Sequence, residues 1–307
     1  MSLQNKRIVD PVLSNLARGY SQPGLIGTKL FPVVYVEKEG GKIPFFGNEA
    51  FKVYNTERAI RSKSNRINPE GLTSIDFALE EHDLEYPMDY REIAEDIRNL
   101  KLHATHVTTE GVLLRLEKKI SEASQDLSSY PTGNKVILDA ASKFTVPTSN
   151  PFLVFENAKE SIRSKIAKRP NVCIMGASTY SALKNHPLVL ERIKYTQHAV
   201  ITPELLKNIF DLDQLYIGES VYFNETTESF SDVWNDNVIL AYVPTAAPNT
   251  QRSFYEPSFA YTLRKNQYPV VDLYEETGNK VEVVRTTDIF LPKIVGNEAG
   301  YLINGTN

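Results

Sequence analysis

Cysteine is almost absent from this chain: Cys173 is the only one in 307 residues. No intrachain disulfide can form, and a reducing compartment is the natural setting. Long apolar runs are missing too, and none approaches the roughly 20 residues of a membrane span. The polar opening from Met1 to Arg7 lacks the apolar segment of a secretory signal. Basic residues are not in excess. The 34 Lys and Arg face 38 Asp and Glu, for a formal net charge of −4, which argues against bulk binding to nucleic acid. Tryptophan occurs once, as Trp234 beside Asp232, Asn235 and Asp236, and reads as a loop anchor. What remains is enough for one large or two ordinary domains, with 41% hydrophobic and 23% charged residues.

Catalytic constellations are also lacking. Gly176-Ala177-Ser178-Thr179-Tyr180 follows a strand pattern and precedes a helix pattern, like a nucleophile elbow. It has tyrosine where G-x-S-x-G needs its second glycine, and it lacks the lysine of a phosphate-binding loop. Ser178 therefore reads as a helix cap, and an α/β hydrolase-type enzyme is a less favoured reading, ranked above only a nucleic-acid-binding module that uses the basic hairpin. Cys173 lies in an apolar strand without a basic neighbour and reads as an inert core thiol. His103 and His106 are three apart but have no Cys or acidic partner at metal-site spacing. No catalytic residue, metal or cofactor is expected.

The best-marked element is a helix from Thr108 to Leu127. Val112, Leu113, Leu116, Ile120, Ala123 and Leu127 fall within an arc of roughly 100°, a core-facing stripe. Arg115, Glu117, Lys118, Glu122 and Asp126 are assigned to the other side, with Thr108 or Thr109 as the cap. Such a helix needs a broad partner surface, and the alternating run Lys280–Ile294 supplies the strand to lie beneath it.

Around this helix the chain divides. Residues 1–40 form an arm that is broken by Pro11, Pro23 and Pro32 yet too apolar for a disordered tail. It stays ordered by lying on its own fold or on a neighbouring subunit. Val33–Val36 reads as a strand, Gly40-Gly41 as a turn, and residues 42–47 as extended. Residues 52–66 then carry Lys52, Arg58, Arg61, Lys63 and Arg66 against one acid, Glu57. An acidic strand follows over 72–86. These two extended runs with a basic tip make a projecting hairpin. It is either a solvated loop or a basic arm that reaches a neighbour's acids, with Glu80, Glu81, Asp83 and Glu85 available. Residues 92–100 read as a short helix and 145–151 as a break.

From 151 to about 268 helix and strand patterns alternate. A helix carries Phe155, Ala158, Ile162 and Ile166, and buried strands run over 171–175 and 238–243. Thr202-Pro203 opens a capped helix. Residues 214–223 read as one strand. The last part is β, with a hairpin turn at Thr277-Gly278-Asn279.

This order resembles the major capsid proteins of tailed phages with the Hong Kong 97 fold, an α+β architecture. The local sequences that carry the likeness are Asp10–Tyr20, Gly27–Pro32 and Asn297–Ile303. The resemblance implies an N-terminal arm (1–40), an extended loop (41–72), a peripheral domain with a spine helix (73–150 and 269–307) and an axial domain (151–268). It implies a structural role in the virion: self-assembly into pentamers and hexamers of an icosahedral shell around double-stranded DNA, in the host bacterial cytoplasm. A separate scaffolding protein and a portal are expected partners, with no sequence-specific DNA contact and no membrane. A protein nanocompartment of the encapsulin type is the alternative. Lys52, Arg58, Arg61, Lys63, Arg66, Glu80 and Glu81 are the candidate inter-subunit contacts.

Overall fold

The computed structural model describes residues 8–20, 24–44, 53–66, 74–95, 99–194, 201–245, 252–253 and 255–307. The first strands are β1 (Ile8–Val9), β2 (Val33–Val36), β3 (Gly40–Pro44), β4 (Ser74–Ala78) and β5 (Glu80–Asp89). The middle ones are β6 (Lys135–Ile137), β7 (Val172–Gly176), β8 (Gln214–Gly218), β9 (Val221–Asn224), β10 (Ser229–Asp232) and β11 (Val238–Ala241). The last are β12 (Ala260–Lys265), β13 (Val270–Glu276), β14 (Val281–Ile294) and β15 (Gly300–Asn304). The helices are α1 (Pro11–Gly19), α2 (Gly27–Leu30), α3 (Tyr90–Ala94) and α4 (Leu100–Gln125). They continue with α5 (Pro151–Ile166), α6 (Ala177–Asn185), α7 (Pro187–Ile193) and α8 (Pro203–Ile209).

The stripe residues Val112, Leu116 and Ile120 are buried, as their spacing requires. The helix that carries them, α4, has 26 residues and starts at Leu100, eight positions before the expected cap. Thr108 and Thr109 are buried inside it rather than capping it. The Thr108 hydroxyl donates back to the Ala104 carbonyl at 2.9 Å and lies 2.8 Å from the Thr286 hydroxyl of β14. A helix start of hydroxyl residues thus proves to be a polar seam between α4 and the strand beneath it. The short helix expected over 92–100 is instead α3, opened by a capping box in which Asp89 accepts from Arg91 N at 2.9 Å.

β14 is the axis of the larger sheet. β5 runs antiparallel along one edge of it, while β13 and β12 share the other edge in succession. β1 extends β13, and β2 adds to β12 in parallel. The arm is seated on its own chain. Leu13 and Ala17 of α1 pack with Met88, Ala104, Val271 and Val284, and α2 buries Leu30 in the central core.

The second sheet runs β6-β15-β11-β7-β8. All five residues of β7 and all four of β11 are buried, with α2 and α6 packed against β7 and α5 against β11. Sheet pairing crosses the boundaries expected at 150 and 269. β6 and β15 belong with the axial strands, whereas β12 belongs with β14. In α5 the expected stripe Phe155, Ala158, Ile162 and Ile166 is buried throughout. At α8, Thr202 accepts from Leu205 N at 3.3 Å, with proline at the first helical position. Thr202→Ala should lower stability by about 1 kcal/mol. Urea unfolding should show this as a lower midpoint with unchanged slope.

An expected turn and an expected strand depart from the structure. Gly40-Gly41 opens β3 instead of turning, with Gly40 opposite Ala78 and Gly41 opposite Phe77. A Cβ on Gly41 would come 3.1 Å from the Phe77 ring, so glycine here serves close packing. The run 214–223 is broken after Gly218, where a Cβ would lie 2.3 Å from the Trp234 indole. The chain turns there, and β9 pairs with a strand the sequence did not reveal, β10.

Candidate assembly surfaces

The extended loop is rooted in a small apolar contact. β3 and β4 pair from Gly40↔Ala78 to Pro44↔Ser74. Ile43 is buried among Val34, Val36, Tyr261 and Leu263, with Ile75, Phe77 and Leu79 alongside. Beyond that root the described loop residues, 53–66, are all exposed, Val53 at 96% and Ile60 at 93%. The tip is held by its own polar groups. Asn65 Nδ2 donates to the Asn55 and Glu57 carbonyls at 2.7 and 3.0 Å, and Arg58 Nη1 to the Ser62 carbonyl at 3.1 Å. Arg61 turns the chain with φ of 65°. Among the described residues no ion pair involves Arg58, Arg61, Lys63 or Arg66. Lys52 lies outside the described residues.

The expected acidic partners are unequal. Glu80 is bonded to Lys119 of α4 and lies 3.8 Å from His82 Nε2. The Lys119 ammonium holds the Glu80 carboxyl below its usual range. Glu85 lies 3.5 Å from Arg285, which also grips the buried Asp272 at 2.7 Å. Glu81 and Asp83 remain exposed on the edge strand β5. Thus Glu80 and Glu85 already serve this chain's own packing, and the structure does not join the loop cations to them.

Sequence reasoning missed Glu117. It lies on α4 four residues after Leu113 and three before Ile120, which places it beside the apolar stripe rather than opposite it. It is 2% exposed. Oε1 accepts from Ile26 N at 3.0 Å, Gly27 N at 3.0 Å and Trp234 Nε1 at 2.8 Å, and Oε2 accepts from Gly27 N at 2.8 Å. One carboxylate therefore ties the arm, the spine helix and the Trp234 loop together. Burial raises its pKa against the opposing pull of these donors.

The elbow-like turn has a packing role. Gly176 is the N-cap of α6, and a Cβ there would sit 1.6 Å from the Asn235 carbonyl oxygen. Ser178 lies inside the helix and is not its cap. The Cys173 thiol is buried and its pKa is pushed up by desolvation. His103 and His106 lie within α4, edge-on to Tyr86 and Tyr20 respectively. Among the described residues, no three His, Cys, Asp or Glu side chains are grouped to hold a metal, and no helix is long and apolar enough to cross a membrane.

An α+β body with a long spine helix over a sheet, a seated arm and a loop thrown clear of the fold is a capsid-type, shell-building architecture. The sequence model for "Phage major capsid protein E" matches residues 22–283. The chain is 52% identical over 305 residues to the major capsid protein of Burkholderia phage BcepMu, covering 99% of each. Its fold matches the crystal structure of a phage-related protein from Bordetella bronchiseptica with a TM-score of 0.84, at 34% identity over 98% of each chain. The capsid of cyanophage P-SCSP1u shares the fold at 8% identity, with a TM-score of 0.57 and 91% and 87% coverage. The chain belongs to the phage major capsid protein E family, and its role is structural. The Hong Kong 97-like capsid fold expected from the sequence is the fold it has.

Proposed function

We propose that copies of this chain close into an icosahedral head of pentamers and hexamers around double-stranded DNA, assembled in the host bacterial cytoplasm with a separate scaffolding protein and a portal. In this reading residues 1–40 are the arm, 41–72 the extended loop, 73–150 with 269–307 the peripheral domain and 151–268 the axial domain. β6 and β15 stitch the last two together. Lys52, Arg58, Arg61, Lys63 and Arg66 contact a neighbouring copy; of the two acids expected as contacts, Glu80 is already paired within its own chain.

The observation that carries the reading is the loop itself: an exposed, cationic tip, without ion pairs among the described residues, on a two-stranded root anchored by the buried Ile43. A lone folded protein gains nothing from holding such a tip in solvent. A tile does, because contacts worth about 1 kcal/mol or less each become decisive when repeated around a closed lattice. The net charge of −4 also suits a container whose wall must not trap its DNA.

Negative-stain electron microscopy of the concentrated chain, with and without scaffolding protein, tests this. Closed shells or rings of five and six are expected. A chain that sediments as a monomer under every such condition overturns the reading.

A further inference from the structure

We propose that the surface receiving the extended loop is the β9–β10 hairpin of a neighbouring copy. The inference rests on the reading that the loop reaches another subunit, and it names the partner surface.

The hairpin stands apart from both large sheets, since β9 and β10 pair only with each other. Phe223 lies directly across from Phe230, and Val221 across from Asp232. In an antiparallel pair, residues opposite one another share a face. One face therefore presents Val221, Phe223, Phe230 and Asp232, while Tyr222 turns the other way and lies under the Lys118 ammonium of α4, 3.8 Å from its ring centroid. The two phenylalanines meet edge-on at 5.5 Å and are 53% and 73% exposed. An apolar pair left in water on a protruding element marks a contact surface.

Its charge points to the partner. Residues 219–232 hold Glu219, Glu225, Glu228 and Asp232 and no lysine or arginine. All four acids are exposed. Among the described residues none of them is in an ion pair, in contrast to Glu80 and Glu85 on β5.

The loop is the complement in both respects. Its described part carries four cations and one acid, with Val53 and Ile60 almost fully exposed. Its tip also encloses a concavity of about 640 Å³ lined by Tyr54, Asn55, Arg58 and Arg66. An acidic, aromatic hairpin end fits a groove walled by two guanidiniums and a tyrosine ring. β5 sets a single exposed aliphatic side chain, Leu84, among its acids and has no exposed aromatic pair. Apolar and charged complementarity together therefore select the hairpin over the edge strand.

The test is a charge exchange scored by particle yield, with circular dichroism on every variant. Glu225→Arg, Glu228→Arg and Asp232→Arg together should cut yield at least about tenfold, because like charges then face each other. Adding Arg58→Glu, Arg61→Glu and Arg66→Glu to that chain should restore yield to within about twofold of wild type. Phe223→Ser with Phe230→Ser, which removes the apolar half without touching charge, should also reduce yield. Wild-type yield from the reversed hairpin overturns the proposal, as does an exchanged chain that stays unassembled while Glu81→Arg with Asp83→Arg blocks assembly. Failure of the wild-type chain itself to assemble counts against the shell reading, not against the choice of hairpin.

Discussion

Glu117→Ala should lower stability by about 4 kcal/mol, since it strands three buried N–H donors, each worth roughly 1 kcal/mol or more when left unpaired. On a chain of this size that is a fall of roughly 10 °C in melting temperature. The donors belong to Ile26, Gly27 and Trp234, so the arm and the axial loop should loosen together. Gly27→Ala should act on the same joint, because a Cβ there would come 2.7 Å from Glu117 Oε2. The carboxylate is not itself cheap to bury, and its folded pKa lies above the unfolded value. Its linkage contribution is therefore fully present below the unfolded pKa and is lost as pH rises through the folded one. Glu117→Gln removes that titration. The stability advantage of wild type over this variant should be largest in acid and shrink as pH climbs through the carboxylate range. Thermal unfolding across pH measures both effects. A melting temperature unchanged by Glu117→Ala would show that the three donors find other partners.

The same residue shows where sequence reading stopped. An apolar stripe announces a helix, so Val112, Leu116 and Ile120 were legible, as was the Phe155–Ile166 face of α5. A buried carboxylate announces nothing, because charge defaults to the solvent side until its donors are known. Those donors lie 91 residues before it and 117 after it, beyond any local pattern. The first two turns of α4 were missed for a related reason. Thr105, Thr108 and Thr109 are buried there, and hydroxyls at a helix start resemble caps until Thr286 is placed against them. The loop was legible as a change of composition, five cations against one acid. Its partner was not. By sequence β8 and β9 merge across Gly218; the break follows from Trp234, which fills the space beside that glycine. β10 has only four residues, two of them serines, with a polar turn before it, which gives period-two alternation too little length to register. Short hairpins between acids are poor sequence signals, yet this one holds Phe223 and Phe230 in water.

Replacing Arg58, Arg61 and Arg66 by glutamate together should abolish shell formation and leave the subunit folded. The two halves of that expectation have separate physical grounds. The side chains are exposed, and among the described residues the loop arginines have one hydrogen bond, from Arg58 Nη1 to the Ser62 carbonyl. Exposed substitutions of this kind change stability by about 0.5 kcal/mol or less, so the circular dichroism spectrum and melting temperature should stay at wild-type values. The net charge of residues 53–66, meanwhile, passes from +3 to −3, and every loop in the lattice then meets an acidic surface with its own sign. Because each subunit must satisfy its neighbours for the shell to close, a modest penalty per contact compounds around each ring, and particle yield should fall by about a hundredfold or more. Lys63→Glu alone should weaken assembly far less, and raised salt should weaken wild-type assembly through screening of the same contacts. Sedimentation and negative-stain counts decide the outcome. Particles at wild-type yield would remove the loop charges from assembly, and a collapsed spectrum would assign these arginines to the fold of the subunit instead.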